Sequence, residues 1–222
     1  LLAALANVID PHTGKDFVST RAVRNVQISG GDVAFDVELG YPAKSVIPEF
    51  RKQLIAAAKT LPGVDNVSAN VYTKVQSHAV QRGVQLLPGV KNIIAVASGK
   101  GGVGKSTTTA NLALALAAEG ARVGVLDADI YGPSVPMMFG VNGKPESSDG
   151  KTMEPLENYG VQLMSIGLLL NNPNEAMIWR GPMATQALEQ MLRTTNWKDL
   201  DYLVIDLQPG TGDIQLTLSQ KV

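Results

Sequence analysis

The chain has 222 residues, enough to bury a substantial core and to make one large domain or two small ones. Apolar residues supply 45% of it and charged residues 18%, and the longest unbroken apolar run, LALALAA at 112–118, is far short of the about 20 residues that cross a bilayer, so a soluble globular protein with no transmembrane helix is expected. The formal net charge is −1, neither half is basic enough to argue for a nucleic-acid partner (10 Lys and Arg against 7 Asp and Glu in 1–91, 9 against 13 in 92–222), and the absence of cysteine excludes disulfides, thiolate nucleophiles and cysteine-ligated metals within these residues.

The opening LLAALANVIDPHTGKD has no basic segment ahead of its apolar one and no small-residue cleavage pattern, so it does not read as a signal peptide and a cytoplasmic setting is expected. The chain starts without Met and stops at TLSQKV with no turn or polar tail, which reads as a fragment. Val26 and Ile28 alternate with polar neighbours, and Val33, Phe35, Val37 and Leu39 alternate with Ala34, Asp36 and Glu38. Period two predicts two half-buried strands, joined by a hairpin turn at SGGD, 29–32. Ile47, Phe50, Leu54, Ala58 and Leu61 recur at helical spacing, with Pro48 tolerated in the first turn and LPG ending the run. Val67, Ala69, Val71, Thr73 and Val75 alternate again. Residues 1–75 therefore read as helix, strand, strand, helix, strand, a small α+β domain.

Residues 76–91 show no sustained period and contain Gly83, Pro88 and Gly89, so they read as a linker. From 92 to 222 the pattern changes. IIAVA, ARVGVLD and DYLVID are continuous apolar strands, a helix is predicted over 105–119, VQLMSIG adds a strand, and Met183, Ala187, Leu188 and Met191 mark one face of a helix after Pro182. Buried continuous strands alternating with helices predict an α/β domain built on a parallel sheet.

The strand-to-helix junction SGKGGVGKST fits two nucleotide fingerprints. Gly99, Gly101 and Gly104, followed about twenty residues later by Asp127, give the G-x-G-x-x-G of dinucleotide binding. The same stretch read through Lys105 and Ser106 gives G-x-x-x-x-G-K-S, the phosphate loop of nucleoside triphosphatases. A dinucleotide loop has no use for a lysine at its end, whereas a triphosphate loop uses one on the β- and γ-phosphates and a hydroxyl on Mg²⁺. The second reading is preferred. Asp127 and Asp129 of DADIYGPS end an apolar strand, where one carboxylate is able to hold Mg²⁺ through water and the other to orient an attacking water; the plain alternative is a solvated Asx turn. Asp206 ends a third strand, as the second metal-side acid does, and Gly210 and Gly212 either bring amides near a phosphate or only shape the turn.

GKGGVGKSTTTANLALALAAEGARVGVLDADIYGPSVPMMFG, MIWRGPM and DYLVIDLQPGTGDIQLTLSQ resemble the Mrp/ApbC branch of the deviant Walker A ATPases, the iron–sulfur cluster carrier ATPases related to the MinD and ParA partitioning proteins. The resemblance covers nearly the whole chain, including the small N-terminal domain of the iron–sulfur maturation type. It implies an ATP loop made of Gly99, Lys100, Gly101, Gly102, Val103, Gly104, Lys105, Ser106 and Thr107. Within it Lys105 is the phosphate lysine and Lys100 reaches across a homodimer to the partner's nucleotide. Ser106, Asp127 and Asp206 are the magnesium side, and Asp129, with Lys100 and Lys105, is catalytic. The implied activity is slow Mg²⁺-dependent ATP hydrolysis that switches a carrier loading [4Fe–4S] clusters onto client apoproteins, without nucleic acid or membrane.

Two departures stand out. Gln208 replaces the first of two prolines usual before GTGD, and the C-x-x-C pair that carries the cluster in the family has no counterpart in these 222 residues. Cluster ligands are therefore expected only in a longer protein. His12 and His78 lack metal-ligand spacing. Met137, Met138 and Phe139 form either a contact surface or core packing, and Arg180 either meets a phosphate or partner or is an ordinary surface arginine. A partitioning or positioning ATPase, a non-catalytic partner-recruiting module and a dinucleotide oxidoreductase remain as rival readings.

Overall fold

The computed structural model describes residues 1–77, 87–169 and 181–210, and the chain divides into two units, Leu1–Gln76 and Ser77–Val222. In the first, a helical turn α1 (Leu2–Leu5) precedes two short antiparallel strands, β1 (Ile9–Asp10) and β2 (Lys15–Asp16). Then come β3 (Val23–Ser29), β4 (Asp32–Leu39), α2 (Ile47–Lys59) and β5 (Asn66–Thr73). The sheet order is β3-β4-β5, antiparallel across the hairpin and parallel between β4 and β5. Crossing over from β4 to β5 takes α2, whose Phe50, Leu54 and Ala58 recur one turn apart and bury against Val33, Phe35, Val37, Leu39, Ala69 and Val71. Phe17 closes this core edge-on to Phe50 at 5.2 Å between ring centroids.

The expectation that Val26 and Ile28 are half-buried is corrected. They are 41% and 63% exposed, because β3 is an edge strand whose register shifts between Arg24 and Gln27, with Asn25 at φ 49°. The irregularity turns that edge away from the core, one of the ways an edge strand is kept from pairing with another chain.

The second unit runs β6 (Ile93–Val96), α3 (Lys105–Ala118), β7 (Val123–Ala128), α4 (Val135–Met138), β8 (Leu156–Asn158), β9 (Val161–Ser165), α5 (Ile166–Leu169), α6 (Gly181–Thr194) and β10 (Tyr202–Leu207). Its sheet order is β6-β10-β7-β9-β8, with the first four strands parallel and β8 antiparallel at the edge. The predicted parallel α/β sheet is present, and β8 is the strand the sequence pattern did not reveal. VQLMSIG is a strand only through Ser165; Ile166 and Gly167 already begin α5.

Period two sorts the side chains of this sheet onto two faces. Val123, Val125, Val161, Leu163 and Val204 pack with Ala110 and Ala113 of α3. Leu126, Met164, Leu203 and Ile205 pack with Leu188, Met191 and Leu192 of α6, on the helix face expected there; the side chain of Met183 lies outside those described. With both faces covered, all six residues of β7 are buried. Residues 78–86 of the expected linker, His78 included, lie outside the described residues. Residues 87–91 are built into this unit instead: Leu87 is core, Val90 bridges Leu200, and Lys91 pairs with Asp201 at 2.7 Å.

Candidate functional site

The alternation that places Val123, Val125 and Val204 under α3 also places Asp127 and Asp206 on that side, at the carboxyl ends of β7 and β10. The two acids are register partners on neighbouring strands, and Ser165 at the end of β9 is opposite Asp127 on the other side. The amino end of α3 rises from the loop that follows β6. Gly102 and Gly104 in that loop have φ 76° and 84°, conformations a side chain resists, and Gly104 is the N-cap immediately before α3. A Cβ on Gly99, Gly102 or Gly104 would meet nothing within 4 Å, so the loop's open side leaves its backbone approachable as a cradle. Gly210 N–H donates to Ser98 O at 2.9 Å and ties the turn after β10 to the loop.

Lys105, the first residue of α3, has its side chain 7% exposed and donates to Asp206 Oδ1 at 2.7 Å and to Ser106 Oγ at 3.3 Å. Asp129 Oδ2 stands 3.9 Å from the same ammonium. Thr109, one turn further along α3 and fully buried, donates its hydroxyl to Asp206 Oδ1 at 2.9 Å, while Asp206 Oδ2 is buried without a hydrogen-bond partner. Burial pushes the Asp129 carboxyl up, opposed by the Lys105 charge. Burial also pushes Asp127 up to about 7, against the hydrogen bonds from the Val135 and Asp129 amides.

Lys105, Ser106, Asp129 and Asp206 thus converge within one ion-paired cluster. Thr107 is exposed in the first turn of α3, and Val103 and Lys100 are exposed on the loop, Lys100 making no ion pair among the described residues. Asp127 is close by, but its oxygens are occupied by Asp129 N–H, Val135 N–H and Ser165 Oγ–H. The donor set suits Mg²⁺. The hard oxygens Ser106 Oγ and Asp206 Oδ1 both accept from the Lys105 ammonium, and Asp206 Oδ2 is an acceptor lacking a partner. No group of three His, Cys, Asp or Glu side chains among the described residues is placed to hold a metal by itself.

Thr109 and Ser165 escaped the sequence reading. The available signals were a hydroxyl four residues after the loop lysine, hence on the same helix face, and a polar residue ending an apolar strand. His12 is a turn residue, its N–H held by Asp10 Oδ1 and its ring edge-on to Tyr41. Met137 is 82% and Met138 45% exposed while Phe139 is core. Arg180 and Gly212 lie outside the described residues.

A glycine loop between a parallel strand and a helix, its lysine aimed at acids ending the adjacent strands, defines a P-loop nucleoside triphosphatase. Residues 89–222 match the ParA family, described as the NUBPL iron-transfer P-loop NTPase, and the chain belongs to that family. Residues 1–71 match the iron-sulfur cluster assembly protein family. The iron-sulfur cluster carrier protein of Synechocystis sp. is 44% identical across 100% of this chain, which covers 64% of that protein. The protein of the same name from Escherichia coli K12 is 46% identical over 98% of this chain, covering 59% of that one. The chain therefore spans about three fifths of the length of these curated relatives. A nucleotide-binding protein from Archaeoglobus fulgidus, solved in complex with ADP, is 44% identical and superposes with a TM-score of 0.51 over 60% of this chain and 50% of that one.

Proposed function

We propose that the chain is the nucleotide-handling part of a cytoplasmic iron–sulfur cluster carrier, an ATPase acting as a homodimer that delivers [4Fe–4S] clusters to client apoproteins. The carrying observation is the Lys105–Asp206–Asp129 cluster beside the glycine cradle. In this reading residues 1–75 are the maturation-type domain, and the ATPase domain, expected from 92 to 222, takes in residues 87–91 as well, which leaves 76–86 as the connection.

Loop amides of 99–107 and the Lys105 ammonium stabilise negative charge on the β- and γ-phosphates. Ser106 and Asp206 would hold Mg²⁺, which would neutralise phosphate charge, and Lys105 would turn from Asp206 to the nucleotide. Asp129, hydrogen-bonded through Oδ1 to Gly132 N–H at 3.3 Å, orients the attacking water. Lys100, exposed on the loop, completes the partner's site. The cluster is cargo, and its thiolate ligands lie outside these 222 cysteine-free residues.

Mg²⁺-dependent ATP hydrolysis together with light scattering tests this. The expected result is nucleotide-dependent dimerisation that Lys100→Ala weakens, with both hydrolysis and dimerisation lost in Lys105→Ala. In the native-length protein, nucleotide should change the rate at which a [4Fe–4S]-dependent apoenzyme regains activity. ATP-dependent binding to DNA or lipid vesicles with no effect on cluster delivery would favour a partitioning ATPase instead.

A further inference from the structure

Asp127 ends β7 with no exposed surface. Its two oxygens take the two ends of one loop: Oδ1 accepts the Asp129 N–H at 3.1 Å, and Oδ2 accepts the N–H of Val135, the first residue of α4, also at 3.1 Å. From β9, Ser165 donates its hydroxyl to Oδ2 at 3.3 Å and accepts the Gly167 N–H at 3.1 Å. Gly167 in turn leaves room for the loop, since a Cβ there would stand 3.1 Å from Pro133 Cγ. Ile130, 3% exposed, anchors the loop in the α6-facing core. Residues 129–135 are thus held at both ends and in the middle, while Tyr131 and Met137, at 63% and 82%, face solvent.

The two buried acids of the site are unlike. Asp206 keeps one oxygen without a partner and turns the other to Lys105, whereas Asp127 commits both to protein donors, two of them backbone amides. A fully buried carboxylate satisfied by backbone N–H groups fixes chain geometry. We propose that Asp127 is a positioning residue: by gripping both ends of 129–135 it sets the Asp129 carboxylate beside Lys105 and seats α4, with its exposed Met137 and Met138, in fixed relation to the phosphate site. Ser165 is the second member of this clamp. The catalytic half of the proposal rests on the ATPase reading above; the clamp is a property of the fold and is testable without nucleotide.

The experiment compares Asp127→Asn and Ser165→Ala with the parent protein and with Asp206→Asn. An amide side chain cannot accept at both positions. Asp127→Asn is expected to accelerate hydrogen exchange in the nucleotide-free protein at the Asp129 or Val135 amide by about tenfold or more, leaving the amides of β10 protected. It should lower kcat by about 10–100-fold, the effect of a displaced catalytic group, with KM for ATP and the half-saturating Mg²⁺ concentration within about twofold of the parent. Ser165→Ala should move the same readouts the same way by less, and it carries the test where Asp127→Asn fails to fold. Unchanged exchange at both amides overturns the clamp. So does a rise in half-saturating Mg²⁺ matching that of Asp206→Asn, which would make Asp127 a metal ligand. A parent protein that neither binds nor hydrolyses ATP overturns the proposed function, while the exchange measurement still decides the clamp.

Discussion

The two units set acids on period-two strands, and the acids end in opposite surroundings. On β4, Asp32, Asp36 and Glu38 alternate with the buried Val33, Phe35, Val37 and Leu39. The acids take donors from neighbouring strands: Asn66 to Asp32 at 2.8 Å, Asn25 and Asn70 to Asp36 at 2.6 and 3.1 Å, and Tyr72 to Glu38 at 3.1 Å. In the second unit α3 and α6 cover both faces of the sheet, so the acids ending β7 and β10 have no exposed surface. An acid on a half-covered sheet keeps part of its hydration. An acid on a doubly covered one must be held by lysines, hydroxyls and backbone amides, and its retention despite that cost marks the site.

The largest expected effect tests that contrast directly. Lys105→Ala removes the ammonium 2.7 Å from Asp206 and leaves a buried carboxylate with only the Thr109 hydroxyl. Beyond loss of ATP binding, the variant should lose roughly 3–5 kcal/mol of stability, the usual cost of breaking a buried pair from one side, measured by urea unfolding. In the first unit, Lys74 stands 3.9 Å from Glu38 with its side chain 70% exposed, and Lys74→Ala should leave the urea midpoint unmoved. An equal loss in both variants would show that the burial difference does not govern these pairs.

Glycines sharpen the comparison at smaller amplitude. A Cβ on Gly124 of β7 would meet Leu200 Cδ1 at 2.5 Å and Trp197 Cζ3 at 3.0 Å, both fully packed, so Gly124→Ala should cost about 1–3 kcal/mol in a urea or thermal unfolding measurement. On Gly31, in the β3–β4 turn, a Cβ would collide with the Asp65 carboxyl group and stand 3.2 Å from Asp65 Cβ, but Asp65 is exposed and its carboxyl is able to rotate away. Gly31→Ala should therefore cost less than Gly124→Ala.

These cases also show what the sequence carried. The convergence of Lys105, Ser106, Asp129 and Asp206 was legible because the phosphate-loop pattern fixes residue type and spacing within a strand–loop–helix context. The strands of the parallel sheet were legible as continuous apolar runs. Asp127 was found as a residue, but its partners are the Val135 amide, which any residue type supplies, and Ser165, thirty-eight positions away on β9. Neither leaves a local pattern. Ile28 misled because alternation reports which face a residue takes, and only the arrangement of strands reports whether that face, at a sheet edge, is covered.

Titration separates the units by sign. Burial raises Asp127 from 3.8 to about 7, so between those values the folded protein retains a proton that the unfolded chain has released. Its contribution to stability is then complete below about pH 4 and is lost as pH rises toward 7. Urea midpoints at pH 5 and 7.5 should fall with pH in the parent protein, and that fall should shrink in Asp127→Asn. Asp36 runs the other way. Its hydrogen bonds from Asn25 and then Asn70 hold it below 3.8, so its contribution is present above that value and is lost as pH falls. Asp36 remains part-exposed on the open face, where water screens the carboxylate, so Asp36→Asn should leave the midpoint little changed at pH 7.5 and soften only the acid limb of the curve. A midpoint shift at pH 7.5 comparable to that of Asp127→Asn would mean that the open face of the small sheet is covered in solution, and would erase the distinction between the two sets of acids.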